Sequence, residues 1–101
     1  MTETKPIQFD WDDANLEHTA KHGVTPSEIE FVLSNNPMIR PDPYPPEIEQ
    51  RWRGIGANTQ GDMLFIVFMV KGDTDTLTLR PISARQMHKR EVKKYERQRE
   101  K

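Results

Sequence analysis

From Met63 to Val70 the chain reads MLFIVFMV, and no other apolar run exceeds three residues. A continuous run of that length predicts a central strand buried on both faces. Trp52 and Ile55 mark a strand before it, although Gly54 and Gly56 weaken the period. Leu77, Leu79 and the region of Ile82 mark a strand after it. Turns are expected at Gln60-Gly61 and over Gly72 to Asp75, so residues 51–83 read as an antiparallel meander. Pro81 has no N–H to give to a ladder, which places that end of the last strand at an edge or in a bulge.

Upstream the period changes. Ile7 and Phe9 start a short strand or pin the N-terminus. DWDDANLEHTAKHG reads as a first helix, capped by Asp10 or Asp12 and stopped at Gly23, where glycine accepts a left-handed conformation. VTPSEIEFVLSNNP reads as a second, with Thr25 as cap, Pro26 at the first position and Glu28 closing a capping box. Ile29, Val32 and Leu33 form its buried stripe, and Asn35, Asn36 and Pro37 end it. Residues 37–47 hold five prolines and read as an ordered, irregular loop. Ser83 with Gln86 fits another capping box, predicting a last helix over about 84–97 with Ala84, Met87, His88, Val92 and Tyr95 on its packed side. These elements give an α+β fold in one domain, residues 1–101 with a core over about 7–97.

Composition narrows the chemistry. With 34% hydrophobic and 31% charged residues the chain is polar, yet not so polar that disorder is forced. Its net charge of −1 hides an asymmetry: residues 1–84 carry 7 basic and 13 acidic side chains, residues 85–101 carry 8 and 3. The basic C-terminal segment suits an acidic partner, whether RNA or protein, or self-association through opposite ends. Without cysteine, thiolate nucleophiles and cysteine-ligated zinc are excluded. The N-terminus has no basic segment followed by an apolar run, and Met63–Val70 is too short to span a bilayer as a helix, so a cytoplasmic protein without membrane contact is expected.

Two stretches carry a family resemblance. FDWDDANLEHTAKHGVTPSEIEFVL resembles the opening of BrnT-type toxins, with their Trp-Asp pair and later Lys-His-Gly-Val. ISARQMHKREVKKY is similar to their C-terminal segment, with Ser-Ala-Arg followed by Arg-Glu and Tyr. The resemblance covers about residues 9–95. It departs from the family where many members carry an asparagine shortly before Lys-His-Gly, and at Pro81, so it points to a divergent member. It implies a compact RelE-like fold: two N-terminal helices, a small three- or four-stranded antiparallel sheet and a C-terminal helix. It further implies a type II toxin-like endoribonuclease that cleaves mRNA and inhibits translation. A cognate antitoxin would neutralise it, and the chain would form a homo-oligomer or a toxin–antitoxin hetero-oligomer. The alternative is a non-catalytic protein- or RNA-binding regulatory module on the same scaffold.

RNA can be cut without metal when its 2′-hydroxyl attacks the adjacent phosphate. The site must then supply a base, an acid and cations for the charge that develops. His22 can exchange a proton near neutral pH at a helix end that favours imidazolium, or it can simply cap that end. Lys21 beside it serves phosphate or solvent. Arg51 and Arg53 share a strand face and form either a phosphate clamp or salt bridges to Glu47, Glu49 or Asp75. Arg80 points toward the C-terminal motif. Arg85, read in the first turn of the last helix, needs an acidic neighbour or a phosphate to offset the helix dipole. Ser83 reads as a cap rather than a nucleophile. Arg90, Glu91 and Tyr95 recur in the resembled family; Glu91 reads as a salt-bridge partner, and Tyr95 as an anchor or a phosphate donor. His18 and His22 have zinc-like spacing but lack the glutamate of His-Glu-x-x-His and a defined third ligand. The expected set is therefore His22, Lys21, Arg80 and Arg85 for catalysis, and Arg51, Arg53, Arg90 and Tyr95 for the substrate phosphate. Thr25 and Ser83 are expected as caps, with no metal or cofactor.

Overall fold

Capping boxes start the first two helices. Asp12 accepts the N–H of Asn15 and the Asn15 side chain returns to the Asp12 N–H, opening α1 (Asp13–Ala20). Thr25 and Glu28 do the same for α2 (Pro26–Ser34), with Pro26 in its first turn. Gly23, at φ +77°, takes the left-handed conformation and donates to Ala20 O, ending α1. The computed structural model describes residues 7–72 and 75–99. Asp73 and Thr74, at the tip of the expected Gly72–Asp75 turn, lie outside the described residues, as do residues 1–6 and 100–101.

The strands are β1 (Ile7–Phe9), β2 (Met38–Pro41), β3 (Trp52–Ala57), β4 (Met63–Lys71) and β5 (Leu77–Gln86), followed by α3 (Lys89–Arg99). They form one sheet in the order β1-β5-β4-β3-β2. The sheet thus has five strands, not three or four. It is mixed rather than antiparallel, because β1 pairs in parallel with Leu77–Leu79. Both additions are short edge strands. β2 takes the first part of the proline-rich segment out of the expected loop, pairing with β3 from Met38↔Ile55 to Pro41↔Trp52. Proline fits there because an edge strand leaves one side of its ladder unpaired.

One sheet face is covered by α2. Ile29, Val32 and Leu33 meet Leu64, Ile66, Phe68, Leu79 and Ala84 in the core. Gly54 permits this approach: a Cβ there would lie 2.6 Å from Leu33 Cδ2. The glycine that weakens the strand period is therefore the one that lets the helix seat. β4 is not buried on both faces. Leu64, Ile66 and Phe68 are buried, while Phe65, Val67 and Met69 are half-buried on the opposite, more open face. Toward the far end of the covered face an apolar cavity of about 520 Å³ remains, lined in part by Ile39, Trp52, Val70 and Leu77.

The last part of the chain differs most from expectation. β5 continues through Ser83, Ala84 and Arg85, which pair with Val67, Ile66 and Phe65. Ser83 is therefore a strand residue and caps no helix, and Arg85 lies outside any helical first turn. Ladder bonds to the central strand and burial of Ala84 outweigh the local capping pattern. The helix begins later, where the Glu91 carboxylate accepts the His88 N–H at 2.9 Å. Tyr95 is 8% exposed and anchors α3. Among the described residues no helix is long and apolar enough to cross a membrane.

Candidate nucleic-acid interface

The open face of the sheet owes its chemistry to one extra residue. Val67 stands opposite Ser83 and Phe68 opposite Pro81, so Ile82 is a bulge in β5. In a regular strand Arg80 and Arg85, five positions apart, would point to opposite faces. The bulge reverses the phase: Leu79 and Pro81 are buried before it and Ala84 after it, which puts Arg80 and Arg85 on the same open face. Pro81 thus lies at a bulge, as its missing N–H requires. Its carbonyl is held by the Asn15 side chain, whose Nδ2 donates to Pro81 O at 2.9 Å and to Asp10 O at 2.8 Å. That buried asparagine ties the start of α1 to the bulge.

The tie creates a shallow cavity of about 310 Å³ lined by residues that include Asn15, His18, Glu49, Arg51, Met69 and Arg80. Arg51 and Arg80, far apart in sequence, thus share one site. His18, one turn before the expected His22, is the histidine that joins them. Lys21 and His22 are exposed in the turn after α1 and are absent from the cavity lining. In the sequence His18 stands out only by its zinc-like spacing from His22. Among the described residues no group of three or more His, Cys, Asp or Glu side chains is placed to hold a metal ion.

Arg51, just before β3, and the strand residues Arg53, Arg80 and Arg85 each have a carboxylate partner, while the remaining strand arginine, Arg40 of β2, stands exposed opposite Arg53. Arg51 Nε donates to Glu49 at 2.7 Å, and its guanidinium lies 3.8 Å from the Tyr44 ring centroid. Arg53 Nε donates to Asp42 at 2.8 Å. Burial pushes the Asp42 carboxyl up, but the Arg53 guanidinium and the Tyr44 N–H outweigh it and leave the group below its ordinary value. Arg80 reaches Asp12 at 2.9 Å and Asp10 at 3.4 Å. The Asn15 N–H, followed by Arg80, lowers the Asp12 carboxyl. Arg85 makes a fork to Glu91, with Nη1 and Nη2 each donating at 2.7 Å. That fork, with the His88 N–H, pulls Glu91 down to about 2 and raises Arg85.

Arg53 and Arg85 converge on Phe65, with guanidinium carbons 5.2 and 4.7 Å from the ring centroid. Phe65 and Met69 are four residues apart on β4, so this cluster lies about 13 Å along the sheet from the cavity. Arg90 is exposed on α3, away from Arg51 and from the strand positions of Arg53, Arg80 and Arg85, and Tyr95 is buried.

The motif residues now have physical roles. Trp11 donates from Nε1 to Glu30 at 2.9 Å, fastening the start of α1 to α2. Asp12 caps α1 and pairs with Arg80. Gly23 and buried Val24 turn the chain into α2. Of Ser83, Ala84 and Arg85, only the alanine faces the core. Among proteins of curated function, none matches the chain. Residues 11–91 match the family described as ribonuclease toxin, BrnT, of type II toxin-antitoxin system. The matched span runs from the tryptophan that fastens α1 to the glutamate that holds Arg85, and the chain belongs to the BrnT toxin family.

Proposed function

We propose that the protein is an endoribonuclease that cleaves mRNA by internal attack of the 2′-hydroxyl, needs no metal, inhibits translation and is neutralised by a cognate antitoxin. The observation that carries this reading is the cavity in which the bulge and α1 bring Arg51, Arg80 and His18 together. Arg51 and Arg80 stabilise the negative charge that develops on the scissile phosphate, and His18 moves the proton. The carboxylates that hold these arginines in the free protein are half-exposed or exposed. Such pairs contribute about 0–1 kcal/mol, so an arriving phosphate can displace them at small cost.

The test is a cleavage time course with RNA in buffer containing EDTA. Arg80→Ala and His18→Gln should each lower the rate about 100-fold or more, with circular dichroism unchanged. Unchanged rates in both variants would sink the site assignment. The carboxylate pairing of Arg51, Arg53, Arg80 and Arg85 favours a second reading, a binding module on the same scaffold. RNA or antitoxin binding by a folded protein that cuts no RNA, with or without ribosomes, would support it.

A further inference from the structure

Arg85 is unlike an arginine waiting for a phosphate. Both terminal nitrogens donate to Glu91, so the edge that would grip phosphate is engaged. The flat face is a different matter. Phe65 lies on one side of the guanidinium at 4.7 Å, Glu91 fixes its edge, and 35% of the side chain remains exposed. Arg53 is held similarly, by Asp42 at its Nε and by the same ring, with 36% of its side chain exposed. These two guanidiniums form a cationic array on an open sheet face. Each is already held by a carboxylate and set over the ring in the free protein, which reduces the side-chain freedom lost on binding. A phosphate is gripped by the guanidinium edge, which is occupied here, whereas a nucleobase stacks on the face.

We propose that Arg53, Phe65 and Arg85 form a nucleobase-stacking platform, so that the site takes single-stranded RNA with an unpaired base seated beside the cleavage cavity. This deepens the RNA-cleaving reading and rests on it. The platform lies about 13 Å along the sheet from the cavity, so the stacked base belongs to a nucleotide flanking the scissile one. A duplex keeps its bases stacked on each other and cannot offer one. Tyr95, the aromatic of the basic helix, is buried and cannot take this part.

The test uses the full chain and a 2′-O-methyl oligonucleotide, which cannot be cut, followed by fluorescence anisotropy. Three forms are compared: single-stranded, single-stranded with abasic riboses at successive positions, and duplex. The wild type should bind the single strand about tenfold more tightly than the duplex or the most damaging abasic form. Arg85→Lys keeps the charge and loses the plane, so it should bind the base-bearing strand only as tightly as the abasic one. Phe65→Leu should do the same while leaving the Arg85–Glu91 fork in place, which guards against a fold defect in the lysine variant. Equal losses on base-bearing and abasic strands would make Arg85 a phosphate contact and overturn the platform. So would wild-type behaviour in both variants. If the wild type binds no RNA, the platform and the RNA reading fall together. Base-dependent binding by a protein that cuts nothing would uphold the platform and defeat only the catalytic reading.

Discussion

The two faces of the sheet are built from the same strands and do opposite work. On the covered face Leu64, Ile66 and Phe68 meet α2, and the glycine at position 54 brings the helix close. On the open face the neighbouring positions Phe65, Val67 and Met69 are only half-buried and lie among Arg53, Arg80 and Arg85. Stability is concentrated on one side by burial of apolar area. The other side holds cations in place with carboxylates: the Arg80 pairs are weak enough to be exchanged for a ligand, while the Arg53 and Arg85 pairs keep their guanidiniums over Phe65. A sheet with a two-residue period can therefore separate folding from recognition within one strand.

The sharpest way to break that comparison is to truncate adjacent residues of β4. Ile66→Ala, at 0% exposure, should lower stability by about 2–5 kcal/mol in denaturant unfolding. Val67→Ala, one position on, should lower it by about 1 kcal/mol. Equal losses would mean that both faces are core.

Asn15 joins the two sides, so its effect should come next in size. Asn15→Ala leaves the Pro81 and Asp10 carbonyls without their side-chain donor, and should cost about 2 kcal/mol. It should also depress RNA cleavage beyond what the stability loss explains, because α1 with His18 then loses its buried tie to the Arg80 strand and keeps the solvent-facing Asp12–Arg80 pair. Wild-type cleavage by the folded variant would separate the tie from the site.

The pair on the open face responds to pH with a defined sign. Glu91 is lowered from 4.5 to about 2 in the folded protein by the Arg85 fork and the His88 N–H. Its contribution is full above 4.5 and is lost as the pH falls toward 2. A third of the side chain faces solvent, which holds the contribution to about 1 kcal/mol. The difference in melting temperature between wild type and Glu91→Gln should accordingly shrink through that acid window. A constant difference would show that packing, not charge, links α3 to the sheet.

The smallest expected effect belongs to Asp42→Asn. Removing this carboxylate loosens the guanidinium that it holds over Phe65 and should lower affinity for base-bearing single-stranded RNA roughly two- to fivefold. The abasic strand should be bound no less tightly. A gain of affinity on both strands would mean that Asp42 merely neutralises Arg53 and does not position it.

How much of this was legible depends on the distance over which each feature is encoded. The start of α2 was readable in full, because Thr25, Pro26 and Glu28 satisfy their own backbone within one turn. The same rule misplaced the start of α3. Ser83 and Gln86 have the right spacing, but their backbone is paired with β4, and the effective capping carboxylate is Glu91. Edge strands β1 and β2 were hinted at or hidden, since short segments gain strand character only from the partner beside them. For the candidate site, Arg51, Arg53, Arg80 and Arg85 were recognisable as cations. The face shared by Arg51 and Arg53 was readable from the two-residue period, but Arg80 and Arg85 join it only through a bulge, and His18 comes beside Arg80 through the contacts of Asn15 and Asp12.

The sequence by itself determined the helix start at Thr25, narrowed that of α1 to Asp10 or Asp12, and marked the buried stripe of α2 and the central strand, because those depend on contacts within a few residues or on apolar density. Only the tertiary structure decided that Ile82 would be the extra residue, that four arginines would share a face and that each would meet a carboxylate. Those outcomes follow from register against β4 and from an α1 contact to Pro81 across 66 positions of chain. A shift of one residue in register exchanges one face for the other, and no local pattern records which shift the assembled sheet will adopt.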